Sequence, residues 1–364
     1  MNNLNKGVFV MNTFKKIGLT ALGTTLVASS AIGGELSVSG DAGYTWSSES
    51  VGVVSTDGVG YNHDVSFSGS GELDNGWSVS TGMTIVEDSS LSSSNVKLTM
   101  GSLGSIQVGN GTGGTGASFD SVTPTAYEEN HDGMKTTTAI DSMGAGLGNG
   151  GIDYYSPALD IAGASVDFSL NYTPEASGTA VGEGGVSTAH ATLASGQAAG
   201  VNIGYGAVKI GGYVAEISSD AGTAGSRDED RLDATWYAKY TAGPVSIGYQ
   251  FAYLDEGLTG AAAANNSSAK TIGTANGAFE SETMSIAFNV NDSLSFSWSE
   301  LTETYDEQDD GTVADVDMDS TSIQFAYTMG SMSIKGYQTD TDNPGWDSDA
   351  KSDEVTEIAV NFAF

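Results

Sequence analysis

Apolar side chains alternate with small or polar side chains along most of the chain after residue 34. In the segment 231–240, one face carries Leu232 and Trp236, and the other carries Asp233 and Lys239. A repeat of two residues places successive side chains on opposite faces of a β-strand. Stretches of this kind, bounded by turn residues, predict about sixteen strands. The predicted strands are 35–48, 60–72, 77–88, 94–101, 104–110, 151–158, 163–174, 199–206, 207–218, 230–241, 244–255, 280–290, 293–305, 319–329, 331–340 and 353–364.

The connections between these strands alternate in length. Two-residue turns such as 242–243 and 330–331 follow some strands, whereas long polar loops follow others. The long loops are 175–198, 219–229, 256–279, 306–318 and 341–352. Short turns on one rim and long loops on the other are typical of an up-and-down antiparallel barrel. The chain is therefore predicted to be all-β, a transmembrane barrel that closes because an open sheet edge is not viable in lipid.

The last predicted strand shows the same alternation up to its end. Ile358, Val360, Phe362 and Phe364 share one face, and small or polar residues separate them. We expect this apolar face to meet lipid and the strand to pair with the first strand, within 34–46. The same alternation would suit a water-soluble β-sandwich, but such domains usually have about seven to nine strands. Sixteen strands without a linker favour the barrel.

The N-terminal 33 residues have the order of a secretory signal. Lys15 and Lys16 precede a moderately apolar run, 17–27, and small residues follow it. This arrangement predicts a signal peptide over 1–33, with Met11 as an alternative start, and residues 34–364 as the exported chain. The apolar run is too short to cross a bilayer as a helix.

The charge of the chain is strongly negative. Its 364 residues include 46 acidic and 12 basic ones, which gives a net charge of -34. Lys6, Lys15 and Lys16 lie in the predicted signal, so nine basic residues would remain against 46 acidic ones, a net charge of -37. Such a surface repels nucleic acid and gathers cations. The absence of cysteine excludes disulfides and thiol chemistry.

Three segments carry a resemblance to a known family. The segment 97–109, KLTMGSLGSIQVG, resembles the strand–turn–strand that precedes the third loop of Gram-negative porins. The ending VNFAF, with Phe362 and Phe364, resembles the C-terminal assembly signal of the same outer-membrane proteins. The start of the exported chain, GELSVSGDAGYTW, is similar to porins of alphaproteobacterial type.

The resemblance implies a sixteen-stranded, homotrimeric general diffusion porin in the outer membrane, reached through the periplasm. It implies contact with lipid and lipopolysaccharide, assembly by the barrel-assembly machinery through the C-terminal strand, and passive diffusion of ions and small hydrophilic solutes. It also implies that the third loop, here 111–150, folds into the barrel and narrows the pore. The segment has little alternation, and long loops of this kind are usually functional or disordered.

The expected pore residues follow from these positions. The constriction residues in the loop are predicted to be Asp120, Glu128, Glu129, Asp132, Asp141 and Lys135. The pore-wall residues are predicted to be Lys97, Gln107, Lys209, Arg231, Lys239 and Lys335. Asn110 stands where family members often have an arginine. The sequence therefore does not predict the electric field across the pore. Carboxylates outnumber the cations, which predicts a preference for cations.

Little in the sequence indicates other chemistry. His63, His131 and His190 lie far apart, without metal-ligand spacing between any two. The acidic segments 306–319 and 340–354 could bind Ca²⁺ weakly, although neither has the EF-hand order. No catalytic nucleophile is recognisable, so we expect a protein that is not an enzyme and has no cofactor. Two alternatives stay open: a substrate-selective channel that uses Tyr127, Tyr154 and Tyr155, and a secreted soluble β-rich surface protein.

Overall fold

The computed structural model describes residues 34–86, 90–112, 114–176, 193–219, 229–258, 267–306 and 314–364. The predicted signal, 1–33, lies outside these ranges. The described residues form seventeen strands: β1 (Gly34–Val51), β2 (Val54–Glu72), β3 (Ser78–Ile85), β4 (Leu91–Thr99), β5 (Ser105–Asn110), β6 (Ile152–Tyr155), β7 (Leu159–Ile161), β8 (Ala164–Thr173), β9 (Leu193–Tyr205), β10 (Val208–Ser219), β11 (Arg231–Ala242), β12 (Val245–Asp255), β13 (Ala278–Asn291), β14 (Leu294–Asp306), β15 (Val316–Met329), β16 (Met332–Asp342) and β17 (Asp353–Ala363). Among the described residues, no helix is long and apolar enough to cross a membrane.

The strands form one closed antiparallel ring. Strands that are neighbours in sequence pair with one another, except β6 with β7, and β17 pairs with β1. The short segments β6 and β7 both pair with β8, so they fill one position and the ring has sixteen. Each predicted strand has a counterpart here, and the predicted up-and-down barrel is confirmed.

The predicted strand boundaries are wrong at three places: β2 and β9 each begin six residues earlier than predicted, the start of β9 lying in the predicted loop 175–198, and a break separates β6 from β7. Pro157 lies in the gap and has no backbone N–H to donate to the ladder. The Ser156 N–H donates to the Phe168 carbonyl at 2.9 Å, and the Ser156 hydroxyl accepts from the Phe168 N–H, also at 2.9 Å. The hydroxyl thus replaces a main-chain partner, and pairing resumes at β7.

The two faces of the barrel wall differ in polarity, as the alternation predicts. Large apolar side chains cover the outside; for example, Trp236 is 47% exposed and Ile323 is 58% exposed. Their strand neighbours of opposite parity point inward and are polar, as with Gln324, which is 1% exposed. A soluble β-sandwich would bury its apolar faces between sheets. The observed barrel has them outside, so the sandwich alternative is wrong for this fold.

The chain closes on itself through its last strand. In the pairing of β17 with β1, Val360 lies opposite Tyr44 and Ile358 lies opposite Trp46. Beyond the end of β17, Gly40 and Phe364 exchange two backbone hydrogen bonds of 2.9 Å each. The predicted partnership of the first and last strands is confirmed, and it extends to the final residue.

The wall of the barrel is uneven in height. β1 and β2 have 18 and 19 residues, whereas β3, β4 and β5 have 8, 9 and 6. On β2, the pairing with β3 is limited to the second half, from Val65 onward. Residues 54–64 of β2 therefore pair with β1 alone. We call β3, β4 and β5 the low wall.

The acidic segment 340–354 is partly folded inward. Trp346 is fully buried, its ring centroid lies 4.8 Å from that of Phe279, and its indole N–H donates to the Glu303 carbonyl at 3.1 Å. Residues 307–313 of the other acidic segment lie outside the described ranges. Weak Ca²⁺ binding by these two segments stays a prediction.

Candidate functional site

The segment 111–150, called the inserted loop, lies inside the barrel against its inner wall. Its outbound limb, 114–135, is held by inward-pointing amide side chains of the wall. The Val122 N–H donates to the Gln250 side-chain oxygen at 2.8 Å, and the Tyr127 N–H donates to that of Gln324 at 3.0 Å. Because a loop has few backbone partners of its own, these side chains satisfy its N–H groups. The predicted insertion of the loop is confirmed.

The return limb, 138–149, is held by wall carboxylates nearer the long-loop rim. The Ala139 N–H donates to Glu303 at 2.7 Å, and the Gly144 N–H donates to Asp233 at 2.9 Å. At the start of the loop, the Thr115 N–H donates to Asp153 at 2.9 Å. Fully buried carboxylates are stable only when they are paired or accept hydrogen bonds. The loop amides and the wall acids therefore satisfy one another.

Arg231 joins the return limb to two wall carboxylates. Its Nε lies 2.7 Å from Asp233 Oδ1 and its Nη1 lies 3.4 Å from Glu256 Oε1, and the three side chains are 6%, 0% and 3% exposed. Its Nη2 donates to the Ser142 carbonyl at 2.8 Å. Arg231 thus lies on the inner wall, but it is buried beneath the loop and does not face the passage.

Aromatic packing fixes the outbound limb. The ring of Phe119 is fully buried, with its centroid 5.4 Å from that of Tyr213 and 6.3 Å from that of Tyr237. The ring fits there because Gly200 on β9 has no side chain: a Cβ at Gly200 would lie 2.3 Å from Phe119 Cε2. The loop position therefore depends on a missing side chain in the wall.

The other wall residues lie on inward faces. Lys239 donates to the Val122 carbonyl at 2.7 Å and so helps to hold the loop. Lys97 Nζ lies 5.3 Å from the Tyr155 ring centroid, and Gln107 lies opposite Lys97 in the β4–β5 ladder. Cations above aromatic rings are attracted to the ring face. Lys209 and Lys335 are placed in the same way. Their Nζ atoms lie 5.9 Å from the Tyr237 ring centroid and 5.0 Å from the Tyr127 ring centroid, respectively.

The three tyrosines of the substrate-selective alternative are not brought together. Tyr154 and Tyr155 are neighbours in β6, so they point to opposite sides of the wall. The Tyr154 hydroxyl donates to the Leu103 carbonyl at 3.0 Å, and its ring contacts Phe168, an outward residue that is 38% exposed. Tyr154 is therefore excluded from the lumen. Tyr127 is inside, where its hydroxyl donates to Glu357 at 3.0 Å.

Four predicted constriction carboxylates form one acidic region of the loop, together with a histidine. Asp120, Glu129 and Asp141 interact electrostatically with one another around His131, and Asp132 accepts a hydrogen bond from the Glu129 N–H at 2.8 Å. The carboxylates come from both limbs, so the fold rather than the sequence spacing gathers them.

Burial and mutual repulsion shift the pKa values in this region. Burial first, and then the charge of Glu129, raise the pKa of Asp120 to about 7. Burial opposes the charged form of His131, but its hydrogen bond to Asp141 and the nearby carboxylates outweigh it and raise its pKa to about 9. The same hydrogen bond lowers the pKa of Asp141, and burial raises that of Glu129.

The two remaining loop residues lie beyond this region. Burial raises the pKa of Glu128. Lys135 forms an ion pair with Glu49 on β1, and its side chain is 51% exposed. Exposed pairs of this kind contribute little to stability. The structure therefore places all six predicted loop residues inside the barrel or at its wall, but not in one group.

The wall carboxylates Asp153, Asp233 and Glu303 are functional residues that the sequence analysis missed. Each occupies the inward face of its strand, and each accepts a backbone hydrogen bond from the loop. The available signal was an acidic residue at an inward position of a strand, but many such residues occur in this chain. Only the path of the loop distinguishes the three.

No family model and no curated protein matches this sequence. Among solved structures, Salmonella typhi OmpF in complex with daunomycin superimposes with a TM-score of 0.68 at 14% identity, covering 91% of this chain and 98% of that one. A porin refined at 1.8 Å resolution gives 0.58 at 19% identity, with 91% and 100% covered. The outer membrane channel DcaP of Acinetobacter baumannii gives 0.59 at 14% identity, with 92% and 99% covered. At these identities the likeness shows the fold, and the chain has the fold of these porins and channels.

Proposed function

We propose that this chain is an outer-membrane porin that forms a water-filled, cation-preferring channel for passive diffusion of ions and small hydrophilic solutes. The observation that carries the proposal is a closed barrel, apolar outside and polar inside, with an acidic loop inserted in its lumen. A transmembrane β-barrel requires closure and an apolar outer face, since every backbone group must be paired and only the outer face meets hydrocarbon. The fold of the porins named above supports the same reading.

The same features support the location and the partners of the protein. The outer apolar face suits lipid, and the negative net charge of -34 suits divalent bridging to lipopolysaccharide phosphates. The predicted signal peptide would deliver the chain to the periplasm. Phe362 and Phe364, at the end of the strand that closes the ring, remain the predicted signal for the barrel-assembly machinery.

The low wall supports a homotrimer. β5 has 6 residues, which at about 3.4 Å per residue extend about 20 Å and span less when the strand is tilted. The apolar band of outer-membrane barrels is about 25 Å tall. β5 therefore covers too little hydrocarbon by itself, and a subunit contact on this side would cover the rest. We expect light scattering in detergent to give three times the chain mass, and a monomeric mass would contradict the trimer.

The passage is proposed to be narrowed by the inserted loop, and its selectivity is proposed to come from the loop carboxylates. Asp132 adds negative charge to the lumen, and Asp120 and Glu128 add theirs above their raised pKa values, whereas Arg231 is buried and Lys239 is engaged by the Val122 carbonyl. Because carboxylates then dominate the field along the passage, cations are favoured.

The cation preference is tested by reconstituting the protein in a planar bilayer and reading the reversal potential under a KCl gradient. We expect potassium preference, and we expect it to fall several-fold in the triple variant Asp120→Asn, Glu128→Gln, Asp132→Asn. The matched control removes three exposed carboxylates outside the loop, Asp74→Asn, Asp292→Asn and Asp349→Asn, and should keep most of the preference. Chloride preference in the wild type would refute the proposed selectivity, and an absence of conductance steps would refute the pore.

A further inference from the structure

Three potential metal ligands converge on the lumen side of the inserted loop. His131 Nε2 lies 3.3 Å from Glu129 Oε2 and 3.2 Å from Asp141 Oδ1. The three ligand atoms all lie within 4.8 Å of one another. Glu129 and His131 come from the outbound limb and Asp141 from the return limb, so the docked loop assembles the group.

The distances in this group suit a shared cation. A single N–H aims well at one acceptor, because hydrogen bonds weaken steeply away from linearity. Here one nitrogen is nearly equidistant from oxygens of two carboxylates. Donor atoms bound at about 2.0 to 2.2 Å to one tetrahedral or octahedral ion lie roughly 3.0 to 3.5 Å apart. The two observed separations fall within that range.

A second observation is a buried carboxylate oxygen beside the group that has no hydrogen-bond partner. Glu303 is fully buried, its Oε2 accepts from Ala139 and Ser281, and its Oε1 has no hydrogen-bond partner. Glu303 lies close enough to His131 and Asp141 to interact with them electrostatically. A buried polar atom without a partner is costly, and a cation bound at the group would compensate this oxygen.

The group is accessible from the lumen. His131 is buried, but the side chains of Glu129 and Asp141 are 47% and 38% exposed. Asp141 and Asp120 line the same cavity beside the return limb. A hydrated ion in the passage can therefore reach the carboxylates first and the imidazole second.

We propose that Glu129, His131 and Asp141 bind a divalent transition-metal ion, of the Zn²⁺, Ni²⁺ or Co²⁺ class, inside the barrel. One imidazole nitrogen with two carboxylate oxygens suits these ions, whereas Ca²⁺ and Mg²⁺ prefer oxygen ligands alone. Binding would cancel the charge of two loop carboxylates and tie the outbound limb to the return limb. The site would thus link metal availability to the charge of the passage.

The site is tested by calorimetric titration of Zn²⁺ into the full-length, detergent-solubilised protein after dialysis against a chelator. We expect one saturable ion per chain. His131→Gln keeps an N–H donor for the carboxylates but supplies no imidazole. It should weaken Zn²⁺ binding at least about tenfold, since loss of a residue that merely orients a metal ligand already lowers metal affinity by that factor. His63→Gln is the matched control, because His63 lies on an exposed part of β2 away from the loop, and it should bind as the wild type does.

A second measurement reports the ligands directly. Co²⁺ bound through the imidazole should give a visible absorption band in the wild type that His131→Gln and Asp141→Asn both lack. Circular dichroism before titration shows whether each variant is folded. Two variants are used so that the test still holds if one of them does not fold. The proposal is overturned if the wild type shows no saturable binding or if both variants bind Zn²⁺ as tightly as it does. Because neither measurement uses conductance, the outcome is independent of the proposed pore.

Discussion

Replacing Arg231 by methionine is expected to destabilise the barrel more than any other single change of a cation in the described chain. The substitution removes the guanidinium from buried Asp233 and Glu256, and it removes the donor to the Ser142 carbonyl. Removing one partner of a buried ion pair typically costs about 3–5 kcal/mol, because the remaining charge is uncompensated. The return limb should detach, since its anchor Asp233 would no longer be held.

The measurement is urea unfolding followed by tryptophan fluorescence, with single-channel recording on the folded fraction. Arg231→Met should lower the unfolding midpoint markedly and produce noisy, more variable conductance steps. Lys351→Met is the matched control: it also removes one positive charge, but Lys351 is exposed, so its effect should stay within about 0.5 kcal/mol. Equal midpoints for the two variants would show that the buried ion pairs do not hold the loop.

Gly200→Ala is expected to displace the outbound limb by adding a single methyl group. The new Cβ would lie 2.3 Å from Phe119 Cε2 and 2.6 Å from its Cζ, and Phe119 is fully buried. A ring that is enclosed on all sides cannot yield without moving the backbone that carries it. Overpacking of this kind typically costs about 1–3 kcal/mol. The displaced limb should change the single-channel conductance as well as the stability.

Gly204→Ala tests the same change where space exists. Gly204 lies on β9 four residues after Gly200, hence on the same inward face, and its nearest neighbour to a new Cβ is the Ser165 carbonyl oxygen at 3.9 Å. This variant should match the wild type in urea midpoint and conductance. If Gly200→Ala also matches the wild type, contact between Phe119 and the wall does not position the loop.

The barrel could be predicted from the sequence because lipid imposes one rule on every strand. Each strand needs a large apolar residue at every second position outside, so the period of two persists from β1 to β17. The pairing of the first and last strands followed from the alternation that continues to Phe364. The split of β6 from β7 depends instead on one proline and one serine hydroxyl, which no periodic pattern reveals.

The candidate site was less predictable because its contacts join distant parts of the chain. The resemblance placed the loop inside, but it did not show that Arg231 is buried under the loop. The sequence does not predict the His131 group, because the three histidines lie far apart and the partners of His131 are two carboxylates on opposite limbs. Glu129 and His131 are visible as neighbours in sequence; Asp141 joins them only when the loop folds back.

The contacts of the outbound limb also order the events of folding. Tyr127 is hydrogen-bonded through its N–H to Gln324 and through its hydroxyl to Glu357, partners that lie 197 and 230 residues further along the chain. Contacts between such distant residues form slowly, because the intervening chain must first be ordered. The middle of the loop therefore cannot reach its final position until β17 has been synthesised and inserted. Completion of the ring and completion of the passage are thus one late step, and a chain truncated before β17 would lack both.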